Sequence, residues 1–136
     1  MRAVLFILII VGSIIADDMT LESAIFNKVV TAVTAKESPK VYIYTKNKAL
    51  EKYPGKLGLV QSCKDADIVI LTTLKNIPEA CKNKIFFATR YQHLRDERVI
   101  GAFFWQKGRP NILFYQKRLD KFNIKLDKSF DRYIEK

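Results

Sequence analysis

The run Ala66-Asp67-Ile68-Val69-Ile70-Leu71-Thr72-Thr73 decides the fold of this chain. Residues 66–71 are almost continuously apolar, and the run ends in two threonines. This pattern is typical of a β-strand buried on both faces, and such strands belong to parallel sheets covered by helices. The run therefore predicts the centre of a parallel sheet.

Shorter elements alternate on either side of this strand. Leu21, Ile25, Val29 and Val33 recur at helical spacing and predict an amphipathic helix over residues 20–34. Further strands are predicted at residues 41–45, 57–60 and 84–89, with short helices at 48–53, 77–81, 119–122 and 129–134 and a polar helix or turn at 91–98. Strands that alternate with helices indicate a small Rossmann-like three-layer α/β sandwich, with a mainly parallel sheet and terminal helices.

A C-terminal hairpin is predicted to add an antiparallel edge to this sheet. Residues 99–106 and 111–116 are joined by Lys107-Gly108-Arg109-Pro110, and glycine and proline in a short connection favour a hairpin. Strict alternation places one set of side chains on one face (Val99, Gly101, Phe103, Trp105) and the other set on the opposite face (Ile100, Ala102, Phe104).

The amino terminus predicts export. Arg2 is followed by an uncharged, mostly apolar run over residues 3–16, and then by Asp17 and Asp18. A basic residue, a short apolar run and a small residue before a polar stretch are typical of a secretory signal peptide. A membrane anchor is the alternative, but a spanning helix needs about 20 apolar residues. We expect residues 1–16 to be removed and residues 17–136 to form one soluble periplasmic domain.

The strongly positive net charge indicates an anionic partner, which has to be present in the periplasm if the chain is exported. The chain has 24 Lys+Arg against 14 Asp+Glu and a net charge of +10, which falls to +9 when Arg2 is removed with the signal peptide. Export makes nucleic acid an unexpected partner. An acidic protein domain or an anionic membrane surface fits better. Most basic residues of the C-terminal part are expected to lie on solvated faces (Lys117, Arg118, Lys121, Lys125, Lys128, Arg132, Lys136).

The two cysteines are predicted to form a disulfide. Cys63 and Cys81 each precede a predicted strand, and a right-handed β-α-β unit brings both to the same edge of the sheet. An oxidising compartment favours the bond, which would add roughly 3 kcal/mol of stability on the chain-entropy model. Two buried thiols are the alternative. No metal site is predicted, because His93 is the only histidine.

The strand ends suggest a ligand site. Ligands of open α/β sheets bind beyond the carboxyl ends of the strands. In this chain those ends carry hydroxyl, amide and basic side chains that suit a small anion (Thr45, Lys46, Asn47, Thr72, Thr73, Thr89, Arg90, Tyr91). The alternative is that the threonines simply end strands and cap turns.

A protein-contact site is predicted at the hairpin. Trp105, Lys107 and Arg109 lie near its tip, and tryptophan and arginine are common in binding hot spots. Alternatively, Trp105 packs on the terminal helices. The chain has no glycine-rich phosphate loop and no triad elbow, and it has a single histidine. We therefore expect a non-catalytic protein without a cofactor.

Two stretches resemble the YfiR/HmsC-like family of small periplasmic proteins. Cys63 with the apolar strand to Leu71 is similar to one family pattern, and Gly101 through the second hairpin strand to Ser129 is similar to the family's closing pattern. Together they cover about residues 57–135. The family's aromatic-Trp-Pro after its first helix is absent, and only Cys63 matches a family cysteine. The resemblance implies a periplasmic regulator of an inner-membrane signalling protein, in which disulfides influence activity.

Overall fold

A central sheet organises the computed structural model, which describes the backbone of residues 2–136 and the side chains of residues 18–136. The strands in chain order are β1 (Lys40–Tyr44), β2 (Gly58–Val60), β3 (Ile68–Leu71), β4 (Ile85–Ala88), β5 (Val99–Gln106), β6 (Arg109–Tyr115) and β7 (Ile134–Glu135). They form one sheet in the order β2-β1-β3-β4-β5-β6-β7. The β5–β6 hairpin is antiparallel and the other pairs are parallel, which confirms the predicted small α/β fold.

Helices of very different length cover this sheet. The α-helices are α1 (Arg2–Thr34), α2 (Lys48–Lys52) and α3 (Gln116–Lys121), and 3₁₀ helices span Cys63–Asp65, Glu79–Cys81, Tyr91–Arg95 and Lys128–Tyr133. The predicted signal peptide, residues 1–16, lies outside the part whose side chains are described. Across residues 18–136, no helix has the length and apolar character needed to span a membrane.

One face of the sheet, here called the first face, is covered by α1, α2, α3 and the last 3₁₀ helix. Phe26 of α1 is fully buried, with its ring centroid 5.2 Å from that of Phe103 and 6.1 Å from that of Phe87. Leu50 of α2, Leu119 of α3 and Phe130 of the last 3₁₀ helix join the same core. This core contains most of the buried apolar side chains on the helices and therefore holds the layers together.

Polar contacts fix α1 in register on this core. The Asn27 side chain donates to the Pro54 carbonyl at 3.3 Å and accepts from the Lys56 N–H at 2.9 Å. The Ser23 hydroxyl donates to the Tyr53 carbonyl. These side chains satisfy backbone groups of the turn before β2, which would otherwise be left without partners beside the helix.

The opposite face, here called the second face, is covered by three 3₁₀ helices only. Each contributes one buried side chain: Cys63, Cys81 and Leu94. The predicted helix at residues 77–81 is a single turn, Glu79–Cys81. Pro78 is its N-cap residue and has an extended ψ of 146°, so the helix begins only after it. The covering layer is therefore thin.

A β-bulge corrects the predicted alternation in β5. Phe86 pairs with Val99 whereas Phe87 pairs with Gly101, so β5 has one extra residue at this point. As a result Ile100 packs in the first-face core and Val99 on the second face, opposite to the prediction. Beyond the bulge, Phe103 and Trp105 point to the first face as predicted, since Trp105 contacts the Phe103 ring.

Candidate functional site

The predicted Cys63–Cys81 disulfide is present. The Cα atoms lie 5.0 Å apart, and both side chains are buried on the second face. The bond joins the first two 3₁₀ helices that cover this face. It closes a loop that contains β3 and most of the connection to β4, and so it fixes a layer that has little apolar area of its own.

The predicted ligand residues at the carboxyl ends of β1 and β3 lie side by side. The strand order reverses between these two strands, the place where doubly wound α/β sheets bind ligands. The hydroxyls of Thr45 and Thr72 are hydrogen-bonded to each other there. Thr45 has a positive φ of 80°, so the chain turns sharply at the end of β1.

The other predicted ligand residues are engaged locally or lie apart. Asn47 is buried and accepts from the Leu50 N–H at 3.0 Å, as the cap of α2. The Thr73 hydroxyl accepts from the Lys75 N–H at 3.2 Å, and the Thr89 hydroxyl donates to the Leu71 carbonyl at 3.3 Å. Lys46 and Arg90 are exposed. The Thr89 hydroxyl and one hydroxyl of the Thr45–Thr72 pair already donate their hydrogens, so an anion at these strand ends would have to displace those bonds.

The hairpin tip presents the predicted contact residues. Lys107 and Gly108 have positive φ values of 53° and 74°, which is the geometry of a two-residue hairpin turn. Lys107 and Arg109 are exposed, and Trp105 is 38% exposed. The indole N–H of Trp105 donates to Glu22 Oε1 at 2.7 Å, so the ring is held by α1. The tip is thus a fixed aromatic and basic projection.

A second exposed cluster lies on the second face of the same hairpin, and the sequence did not reveal it. We call it the tyrosine patch: Tyr91, Phe104, Leu113 and Tyr115. Tyr91 is 60% exposed, and its ring lies 5.1 Å from the ring of Phe104 in an edge-on contact. The other three side chains are half-buried. Tyr91 was predicted with the strand-end ligand residues, but the structure places its ring against the hairpin.

Arg118 holds the tyrosine patch in place through hydrogen bonds and a ring contact. Its guanidinium Nη1 donates to the carbonyls of Leu94 at 2.7 Å and Val99 at 2.9 Å, and to that of Asp96 at 3.2 Å. The guanidinium also lies 4.3 Å from the centroid of the Tyr115 ring. Most basic residues of the C-terminal part are predicted to be solvated, and Arg118 is an exception because its side chain reaches back to the loop before β5.

The surroundings of the patch are electropositive. Arg90 and Arg95 are exposed, and neither forms an ion pair among the described side chains. Arg98 is paired with Asp96 at 2.7 Å. Hydrogen bonds from Arg98 lower the pKa of the Asp96 carboxyl, which therefore stays ionised and is already neutralised. The free charge near Tyr91 is therefore positive, whereas Glu97 and Glu135 lie beside Tyr115 together with several basic side chains.

His93 lies in the 3₁₀ helix that carries Tyr91. Its Nδ1 atom is buried and has no hydrogen-bond partner within residues 18–136. Partial burial, and then the positive charge of Arg90, lower the pKa of His93. The imidazole is therefore neutral at pH 7 and adds no charge to the patch.

Comparison with known proteins adds no relative. No protein family model matches the chain, and no curated protein and no solved structure is significantly similar to it. The described residues define a small disulfide-bonded α/β domain that exposes aromatic rings and unpaired arginines at one hairpin.

Proposed function

We propose that this chain is an exported, non-catalytic regulatory protein that binds the periplasmic domain of an inner-membrane signalling protein. The resemblance of residues 57–135 to the YfiR/HmsC-like family motivates the class of partner. The hairpin supplies the contact surface, with the tyrosine patch on one face and Trp105, Lys107 and Arg109 at the tip.

The observation that carries this proposal is the 60% exposure of Tyr91 on a surface rimmed by unpaired arginines. Tyrosine, tryptophan and arginine dominate binding hot spots, because they bury a large area while keeping a polar group for the rim. Arg118 and Phe104 hold the patch in one geometry, which lowers the entropy lost on binding. The positive rim favours an acidic partner surface.

Export is supported by two features of the chain. The Cys63–Cys81 disulfide is typical of proteins in oxidising compartments, and residues 1–16 have the pattern of a signal peptide. Intact-mass measurement of the protein recovered from the periplasm tests this part. We expect a mature chain that begins at Asp17, and a cytoplasmic chain that retains Arg2 would contradict it.

Small-anion binding is the second candidate function. It rests on the position of Thr45 and Thr72 where the strand order reverses. Thermal unfolding in phosphate, sulfate and acetate at constant ionic strength tests it. A saturable rise in the midpoint that Thr72→Val abolishes would support the anion site, and an equal response of both proteins to every anion would remove it.

The partner proposal is tested by affinity capture from solubilised envelopes, followed by binding to the purified extracytoplasmic domain of the captured protein. Tyr91→Ala is expected to weaken that binding at least about tenfold, as is typical of a hot-spot residue. The combined Trp105→Ala/Arg109→Ala variant tests the tip separately. Tyr53→Ala is the matched control, because Tyr53 is also an exposed tyrosine, 36% exposed, but lies beside α1. Equal binding by the Tyr91 variant and wild type would exclude the patch.

A further inference from the structure

A cleft on the first face is separate from the hairpin surfaces. It lies between α1, β6 and the last 3₁₀ helix and has a volume of about 250 Å³. Ile25, Val29, Ile112 and Phe130 form apolar parts of its wall. Drug-sized ligands fill about 300–1,000 Å³, so this cleft suits a smaller molecule with an apolar body.

The charge at the cleft is positive. Lys28 and Arg132 line it, and no aspartate or glutamate does. Within residues 18–136 neither cation is in an ion pair. The Asp127 carboxylate is close enough to attract Lys28 without forming an ion pair, and it accepts hydrogen bonds from the Ser129 hydroxyl and N–H at 2.8 and 3.3 Å. The two cations are therefore available to an anionic group.

Aromatic rings keep both cations close to the cleft wall. The Lys28 ammonium lies 6.0 Å from the centroid of the Phe130 ring, and the Arg132 guanidinium lies 4.9 Å from that of Tyr133. Such cation–π contacts limit the conformations of long basic side chains. Arginine in addition offers a planar pair of donors that matches a carboxylate.

We propose that this cleft binds a small amphipathic carboxylate, of the size of a medium-chain fatty acid. The apolar chain lies along Ile25, Pro110 and Ile112, and Lys28 and Arg132 hold the carboxylate at the rim. This site does not depend on the proposed protein partner, because no residue of the tyrosine patch lines it.

Isothermal titration of the purified full chain with octanoate, below its micelle concentration, tests the proposal. We expect saturable binding of one octanoate per chain. Octanol and octylammonium have the same tail without the negative charge, and both are expected to bind at least about tenfold more weakly. Absence of saturable octanoate binding, or equal binding of octanol, would overturn the proposal.

Variants locate the site. Lys28→Ala/Arg132→Ala is expected to weaken octanoate binding at least about tenfold. Lys64→Ala/Lys82→Ala is the control, since it removes the same charge from exposed positions outside the cleft. Equal octanoate affinity in wild type and the Lys28/Arg132 variant, or an equal loss in both double variants, would contradict binding in the cleft.

Discussion

The two faces of the sheet carry the same strands but are covered in different ways. On the first face, α1 lays a continuous row of apolar side chains over the strands, and Phe26, Val29 and Val30 are fully buried. On the second face, three 3₁₀ helices provide one buried residue each, and a disulfide joins two of them. The second face also leaves Phe104, Leu113 and Tyr115 half-buried.

This difference indicates a division of roles. A long helix buries enough apolar area to dominate stability, whereas single turns do not. The second face is therefore held by a covalent bond and by Arg118, and it leaves aromatic area exposed at its edge. The following predictions test this division, beginning with the largest expected effect.

Phe26→Ala should cause the largest loss of stability. The ring is fully buried between Phe87 and Phe103, so truncation leaves a cavity in the first-face core. We expect a loss of about 3–5 kcal/mol in the free energy of unfolding. Urea unfolding followed by the fluorescence of Trp105, the single tryptophan, measures it.

The control for this variant lies on the same helix. Leu21 is 43% exposed, so Leu21→Ala should change the free energy of unfolding by no more than about 0.5 kcal/mol. Similar losses in the two variants would mean that α1 does not pack as described.

Loss of the disulfide should have the next largest effect. Cys63→Ala/Cys81→Ala opens a link between residues that are 18 apart in the sequence, and we expect a loss of about 3 kcal/mol. The double variant should unfold at the same urea concentration with and without reductant, while the wild type should become less stable when reduced. An unchanged midpoint in the double variant would show that the turns hold the second face without the bond.

Arg118→Met should cost about 2 kcal/mol, because hydrogen bonds from a charged group to carbonyls are lost and the carbonyls stay partly buried. Hydrogen exchange is expected to accelerate at Val99 and Ile100 before it does in β3. Lys117→Met is the control, since Lys117 is exposed and should tolerate the change within about 0.5 kcal/mol. Equal effects of the two variants would refute the supporting role of Arg118.

Asp67 should make the attachment of α1 dependent on pH. Partial burial raises the pKa of its carboxyl, but bonds from the Lys36 side chain at 2.7 Å and the Lys40 N–H at 2.8 Å outweigh burial and lower the pKa. A lowered pKa in the folded state stabilises the fold above the unfolded pKa, and this stabilisation is lost as the pH falls through the folded pKa.

The matching variant is Asp67→Asn. The stability difference between wild type and variant should be largest near neutral pH and should shrink below about pH 4. Urea unfolding at a series of pH values measures the difference. A difference that stays constant from pH 7 to pH 2 would show that the Asp67 charge does not contribute.

Much of the fold could be predicted from the sequence because its signals are local. The apolar run before Thr72 predicted the central strand, and the glycine between two apolar runs predicted the hairpin. The disulfide followed from the order of elements, since Cys63 and Cys81 precede neighbouring strands. In each of these cases short-range pattern or connectivity determines the outcome.

The missed features depend on contacts between distant residues. The bulge beside Val99 changes the faces of β5, yet alternation alone assumes a regular strand. Arg118 bonds a carbonyl 24 residues away, and no local pattern marks it among the other basic residues. The exposure of Tyr91 follows from the thin cover of the second face, which becomes visible only when helix lengths are known.

Photocrosslinking at the tyrosine patch tests the central claim most directly. Tyr91 is replaced by a photoreactive benzoyl-phenylalanine in cells that export the full chain, and Tyr53 is replaced in a parallel strain as the control. We predict an adduct from position 91 with an inner-membrane protein that has an extracytoplasmic domain, and little or none from position 53. No adduct from position 91, or equal adducts from both positions, would contradict the claim that the open edge of the second face binds the partner.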